Sequence, residues 1–218
     1  PLHNGKQIVA GFGAYVASNS MLNAFVRWET LHTFIQYAGY TLSGRPYMAV
    51  GRNLACTKAA MEKAQQSSEW SKLPSGDDDL LVNAVADSRN MAIVATPSTV
   101  TVSPVKTTWA DWLQQKQRHV STGKYYKIGT KVLLGLYALT HSFVWFSFLM
   151  LLFTEMWQLA LGVMAVRLII NIIIQQRACR LTGQQHNIFL FILADIGWMI
   201  YNFVLSPYIL LKNKQRWT

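Results

Sequence analysis

The sequence predicts an α/β domain over residues 1–127 followed by a helical membrane region of about three spans over residues 128–218. Two observations carry this reading. The first part holds the carboxylate clusters and most of the charge, whereas from about Ile128 the chain is almost continuously apolar. Strand-like and helix-period patterns also mix before that point, punctuated by Pro97 and Pro104, which argues against an all-helical domain. A length of 218 residues suits one domain plus a membrane region.

In chain order, residues 8–16 are apolar and glycine-broken and suit a buried strand or loop. Ser20 is placed to cap a helix running to about Leu42, with Leu22, Phe25, Trp28 and Ile35 near one face. Residues 47–55 read as extended, and a helix follows over 57–66. Residues 77–88 read as a helix whose acidic first turn suits the helix dipole. Residues 91–95 and 100–103 are strand-like. Thr108-x-x-Asp111 resembles a capping box and predicts a helix over 109–120.

Three apolar stretches follow. Residues 128–153 and 156–176 each exceed the roughly 20 apolar residues that a bilayer core requires. Residues 188–211 are a third candidate, weakened by Asp195 and Pro207. Lys124, Lys127 and Lys131 precede the first stretch, and Arg177 and Arg180 follow the second. The excess of cations on that side predicts that the α/β half is cytoplasmic, with the loop at 177–186 on the same side. A third crossing would carry Lys212, Lys214 and Arg216 to the far side, against that bias. A re-entrant or interfacial course and a crossing dictated by packing both remain open.

Arg167 stands nine residues before Gln176, and Asp195 eight past Asn187. At about 1.5 Å per residue their depths agree to within roughly 2 Å. The expectation is an intramembrane ion pair, acting as a structural clamp or in passing a polar substrate.

The net charge of +10 does not point to nucleic acid, because the Lys and Arg residues cluster near the ends of apolar segments. Two cysteines, Cys56 and Cys179, imply no disulfide framework and fit a reducing compartment. The chain opens at Pro1 without a signal-peptide pattern and reads as the C-terminal portion of a longer protein.

Three motifs carry chemistry. In Asp77-Asp78-Asp79, neighbouring carboxylates raise one another's pKa while a helix N-terminus lowers it. Such a group can take a proton from a hydroxyl, and it can equally be a helix cap. A metal-binding reading of Asp77-x-Asp79 is disfavoured because residues 70–75 are not a hydrophobic strand. Gln115 and Arg118 are three apart and share a helix face. A guanidinium there would fork onto a diphosphate in a way Lys cannot imitate. Trp109 and Trp112 also share a face, suiting a helix at a bilayer surface, or else core packing behind a solvated basic face. Gly51-Arg52-Asn53-Leu54-Ala55 offers a close-approach glycine, a cation and an amide, or an ordinary turn.

Taken in order and spacing, Gly-Arg-Asn-x-Ala, Gly-Asp-Asp and Gln-x-x-Arg followed by membrane resemble the family 2 glycosyltransferases. These include the membrane-integrated cellulose, chitin and hyaluronan synthases and lipid glycosyltransferases. Gly76-Asp77-Asp78-x-x-Leu81-x-Asn83 is similar to the chitin and hyaluronan synthase form, and the ordered motifs cover about residues 8–126. The resemblance implies a GT-A fold, a nucleotide-sugar donor and a divalent metal (Mg2+ or Mn2+). It implies Asp78 as general base, Gln115 and Arg118 at the donor diphosphate, and Arg52, Asn53, Asp77 and His119 on the acceptor side. The family's metal-binding Asp-x-Asp is expected upstream, with no metal ligands in this chain. Two departures stand out: His119 occupies the family's tryptophan position, and the donor-binding half is missing.

The expected function is inverting transfer of a hexosyl or N-acetylhexosaminyl group to a hydroxyl of a lipid or glycan acceptor. It would take place at the cytoplasmic (inner) membrane, among membrane lipids and without nucleic acid, in polysaccharide or glycolipid biosynthesis. The alternative is a degenerate relative serving as a membrane subunit or scaffold of a larger complex. A channel or transporter would rest only on Arg167 and Asp195.

Overall fold

The apolar segment after Gln7 divides into two strands, β1 (Ile8–Gly11) and β2 (Gly13–Tyr15), that belong to different sheets. In the computed structural model, which describes residues 5–66, 77–185 and 188–205, β1 is the centre of a three-stranded mixed sheet. It pairs antiparallel with β3 (Leu54–Cys56) and parallel with β4 (Met91–Val94). β2 pairs in parallel with β5 (Thr101–Ser103). The chain changes sheet at Phe12, where Asn53 Nδ2 donates to the Phe12 carbonyl at 2.9 Å and to that of Thr99 at 2.7 Å. A Cβ on Gly11 would stand 2.7 Å from Asn53 Nδ2, so this switch requires glycine.

Helix α1 (Met21–Leu42) begins where Ser20 Oγ accepts the Asn23 N–H at 3.0 Å. It is the backbone of the core, with Trp28 and Leu31 fully buried, Phe34 against Phe12, and Tyr37 Oη donating to the Gly11 carbonyl. Helix α2 (Lys58–Gln65) starts at a Thr57 cap, and α3 (Asp77–Val85) at the three acids. Helix α4 (Trp109–Thr122) is capped by Thr108, whose hydroxyl accepts the Asp111 N–H and donates to the Asp111 carboxylate. Of the stretch expected to be extended over 47–55, only its end joins a strand. Residues Gly51–Asn53 close instead into a 3-10 turn, with Asn53 N–H on the Val50 carbonyl.

Two long helices follow, α5 (Ile128–Leu151, 24 residues) and α6 (Trp157–Thr182, 26 residues). Asn83 anchors the first: its Oδ1 accepts the Lys127 N–H at 2.8 Å and its Nδ2 donates to Thr130 Oγ1 at 3.1 Å. Helix α6 does not stop at Gln176 as expected. Ala178 and Cys179 are buried in the domain core, so the helix continues through Arg177 and Arg180 until Gly183 ends it at a positive φ of 66°. The start of α5 and the end of α6 both rest on the α/β half, the latter through Arg27 Nη2 donating to the Gln185 carbonyl.

Among the described residues, two helices rather than three are long and apolar enough to cross a membrane. The third apolar segment forms α7 (Ile188–Ile200, 13 residues), followed by a wider π-type turn over Tyr201–Leu205. Its inner face belongs to the core of the α/β half: Trp198 stacks on Tyr201 at 4.8 Å and meets Trp28 at 6.2 Å. One core therefore runs across the predicted boundary at residue 127. By contrast α5 and α6 leave Phe143, Leu139, Val163 and Ile169 largely exposed, as helices with an apolar environment do. Gly76, His186, Asn187, Pro207 and the basic residues Lys212, Lys214 and Arg216 lie outside the described residues.

Candidate active site

The three consecutive acids of α3 have three different surroundings. Asp77 is exposed, Asp78 half-buried and Asp79 fully buried. Asp78 Oδ2 accepts the Gly51 N–H at 2.6 Å and its Oδ1 accepts the Asp79 N–H at 2.9 Å. Burial raises the Asp78 pKa, the two N–H donors oppose it, and the Asp77 charge adds to the rise; the net direction is upward. Gly51 makes this contact possible, since a Cβ there would stand 2.9 Å from the same carboxylate oxygen. Asp79 is turned inward, where Thr122 Oγ1 donates to it at 3.2 Å and Tyr126 also bonds it. Burial and then the charge of Asp78 push its pKa well up.

The residue after Gly51 continues the site. Arg52 lays its guanidinium 3.9 Å from the centre of the Tyr15 ring and donates to the Ala14 carbonyl at 2.8 Å. The Tyr15 hydroxyl in turn accepts from Gln115 Nε2 at 3.2 Å. The turn over Gly51–Asn53 thus holds Asp78 by its first residue and reaches Gln115 from Arg52 through Tyr15, a residue the sequence patterns did not single out. Asn53 points the other way and is committed to the sheet switch at Phe12.

Along α4, Lys116, Arg118 and, across the site, Arg52 act electrostatically on His119. Crowding around the imidazole and these cations lower its pKa to about 4 against the opposing charge of Glu29, although the residue is exposed. Lys116 also pairs with the buried Glu29 of α1, which fixes α4 against the core. No periodicity links residues 29 and 116. The tie is tertiary, and no local pattern in the sequence announces it.

The expected site residues therefore divide. Arg52 is tied to Gln115 through Tyr15 and acts with Arg118 on His119, Asp78 reaches this group only through Gly51, Asp77 stands exposed, and Asn53 bonds the sheet switch. Among the described residues no three His, Cys, Asp or Glu side chains converge to hold a metal ion. Asp77 and Asp79 cannot serve as a pair, because one faces solvent and the other is sealed under Thr122.

A second polar cluster sits among the long helices. Arg167 Nη1 donates to Asp195 Oδ2 at 2.6 Å, and Trp145 Nε1 donates to the same oxygen at 2.9 Å. Arg167 Nη2 lies 3.3 Å from His141 Nδ1, while His141 Nε2 lies 3.1 Å from the Asp195 carbonyl.

A carboxylate with raised proton affinity can accept a proton from a hydroxyl, and cations such as those around His119 can offset the charge of an anionic leaving group. The chain belongs to glycosyl transferase family group 2, whose family model matches residues 3–206. Its activity class is accordingly glycosyl transfer. No curated protein and no solved structure matches the chain.

Proposed function

We propose that the chain carries the base and acceptor side of a membrane-bound, inverting glycosyltransferase of GT-A fold. It would move a hexosyl or N-acetylhexosaminyl group from a nucleotide-diphosphate donor to a hydroxyl of a lipid or glycan. The observation that carries this reading is the Asp78 carboxylate, held by the Gly51 N–H with its proton affinity raised. Asp78 takes the acceptor hydroxyl proton as the acceptor oxygen bonds to the anomeric carbon. The bond from that carbon to the diphosphate breaks, and the electron pair leaves with the diphosphate. A single displacement inverts the anomeric configuration. Arg118 forks onto the departing diphosphate and Gln115 orients it. A divalent metal, Mg2+ or Mn2+, would neutralise the diphosphate when bound.

The long helices support a place in the cytoplasmic membrane as a multi-pass protein. Both helix ends that rest on the α/β half carry cations, Lys124, Lys127 and Lys131 at one and Arg177 and Arg180 at the other, and this bias supports a cytoplasmic side for that half. The test is incorporation of labelled sugar from a panel of nucleotide sugars into membrane-extractable product, with Mg2+ or Mn2+ present. The expected result is incorporation from at least one donor. A second reading, a degenerate relative acting as a membrane subunit or scaffold, is favoured by His119 at the family's tryptophan position. Absence of incorporation from every donor by the full-length protein would support it.

A further inference from the structure

Between α1, α5, α6 and α7 lies a partly open cavity of about 550 Å³, within the ~300–1,000 Å³ typical of small-molecule sites. Its walls mix polar and apolar groups. Gln36 comes from α1, Thr140 from α5, and Asn171 and Gln175 from α6, while Ile35, Val144 and Ile174 line the rest. Such a concentration of amides and hydroxyls is unusual between two helices whose outward faces are apolar, and polar groups at such a place point to function.

The charges in this cavity cancel. Arg167 and Asp195 are paired at 2.6 Å. An arginine N–H directed at His141 Nδ1, with His141 Nε2 facing a carbonyl, requires the neutral ring protonated on Nε2. Burial keeps His32 neutral as well, its pKa lowered to about 4, and its Nε2 is bonded to the Tyr137 hydroxyl at 2.7 Å. The cavity thus presents no net charge to attract an anion or a cation. It does offer an unmet need: Gln175 is only 5% exposed, lines the cavity, and its Oε1 accepts no hydrogen bond. A buried carbonyl oxygen in that condition calls for an O–H or N–H donor.

We propose that this cavity binds the neutral, hydroxyl-rich head group of a membrane amphiphile, with a ligand hydroxyl donating to Gln175 Oε1 and the amides of Asn171 and Gln36 completing the contacts. The apolar tail leaves between α5 and α6, along the side chains of Val144 and Ile174. The proposal rests on the membrane part of the reading above and not on turnover.

The experiment is photo-crosslinking of the protein in phosphatidylcholine nanodiscs. One probe is an alkyl glucoside with a diazirine in its tail; the other is an alkyl phosphocholine with the same tail. Adducts are mapped by mass spectrometry onto residues 137–144 and 167–175. Glucoside adducts there are expected to exceed phosphocholine adducts roughly tenfold. Gln175→Leu is expected to cut glucoside labelling about fivefold or more, as loss of one buried hydrogen bond implies, without altering the phosphocholine background. This variant replaces an unsatisfied acceptor by an apolar group of similar size and is expected to melt no lower than the wild type. Asn171→Leu, at a half-buried position, is the second variant and is expected to act in the same direction. Equal labelling by the two probes, or glucoside labelling unchanged in both variants, overturns the proposal and leaves a water-filled cavity. Addition of nucleotide sugar then separates two sources of the head group. A probe that gains a sugar is an acceptor, and one that stays unmodified is a bystander glycolipid; either outcome upholds the site. Because labelling requires no turnover, its failure and a failure of the transfer assay are distinguishable.

Discussion

Asp78 and Asp195 are both carboxylates withdrawn from bulk water, yet they are held by opposite means. Asp78 accepts two backbone N–H groups, from Gly51 and Asp79, and has acids on either side. Asp195 accepts a guanidinium at 2.6 Å and an indole N–H at 2.9 Å. Neutral donors hold Asp78 in position while leaving its proton affinity raised, so it remains able to take a proton. A fixed cation commits the charge of Asp195 to a clamp that joins α6 to α7. On the proposed function, one kind of side chain serves chemistry in one setting and architecture in the other, according to whether its partners are charged.

The comparison breaks most visibly at Asp78. Asp78→Asn is expected to lower the transfer rate roughly 100- to 10,000-fold, the usual range for a general base, while the melting temperature stays near that of the wild type. Stability rather than rate should suffer at the other site. Arg167→Met leaves the Asp195 charge buried and unpaired, and unfolding in detergent is expected to show a loss of about 3–5 kcal/mol. The double variant Arg167→Met/Asp195→Leu should recover most of it; a double variant as unstable as the single one would remove the clamp from the account.

A smaller effect is expected at Arg118. Arg118→Lys exchanges a fork for a point charge and should raise the KM for the nucleotide sugar about tenfold, measured at saturating acceptor. The finest contrast lies beside Asp78. The Asp79 pKa is raised well above its ordinary 3.8, so between that value and its folded-state pKa the folded chain holds a proton that the unfolded chain has lost. Stability therefore falls as pH rises through that window, at about 1.4 kcal/mol per pH unit. Asp79→Asn mimics the protonated acid and should flatten that slope, read from melting temperatures across the acid to neutral range.

Local chemistry made much of this legible before the structure. The caps at Ser20 and Thr108 mark helix starts within a residue, because a side-chain acceptor for a free N–H is a short-range signal. The shared face of Gln115 and Arg118 follows from helical spacing alone. What stayed hidden is tertiary. The apolar composition of residues 188–200 suits a membrane span, and only the burial of Phe191 and Trp198 against α1 reveals a helix that completes a core. The run of α6 past Gln176 depends on a core that receives Ala178 and Cys179. Tyr15 carries no motif, and its role exists only because a turn some forty residues later lays Arg52 across its ring. The commitment of Asn53 to the sheet switch is likewise invisible until β1 and β2 are seen to part at Phe12.

We propose that adjacent acids on one helix turn have separate tasks, Asp78 in chemistry and Asp79 in structure. The most direct test measures sugar transfer by Asp78→Asn and Asp79→Asn side by side, in full-length protein with the same donor and acceptor. Asp78→Asn is expected to lose transfer at unchanged stability, whereas Asp79→Asn is expected to retain most of the rate and to change only how stability responds to pH. Retained turnover in Asp78→Asn, or equal loss in both folded variants, would contradict it.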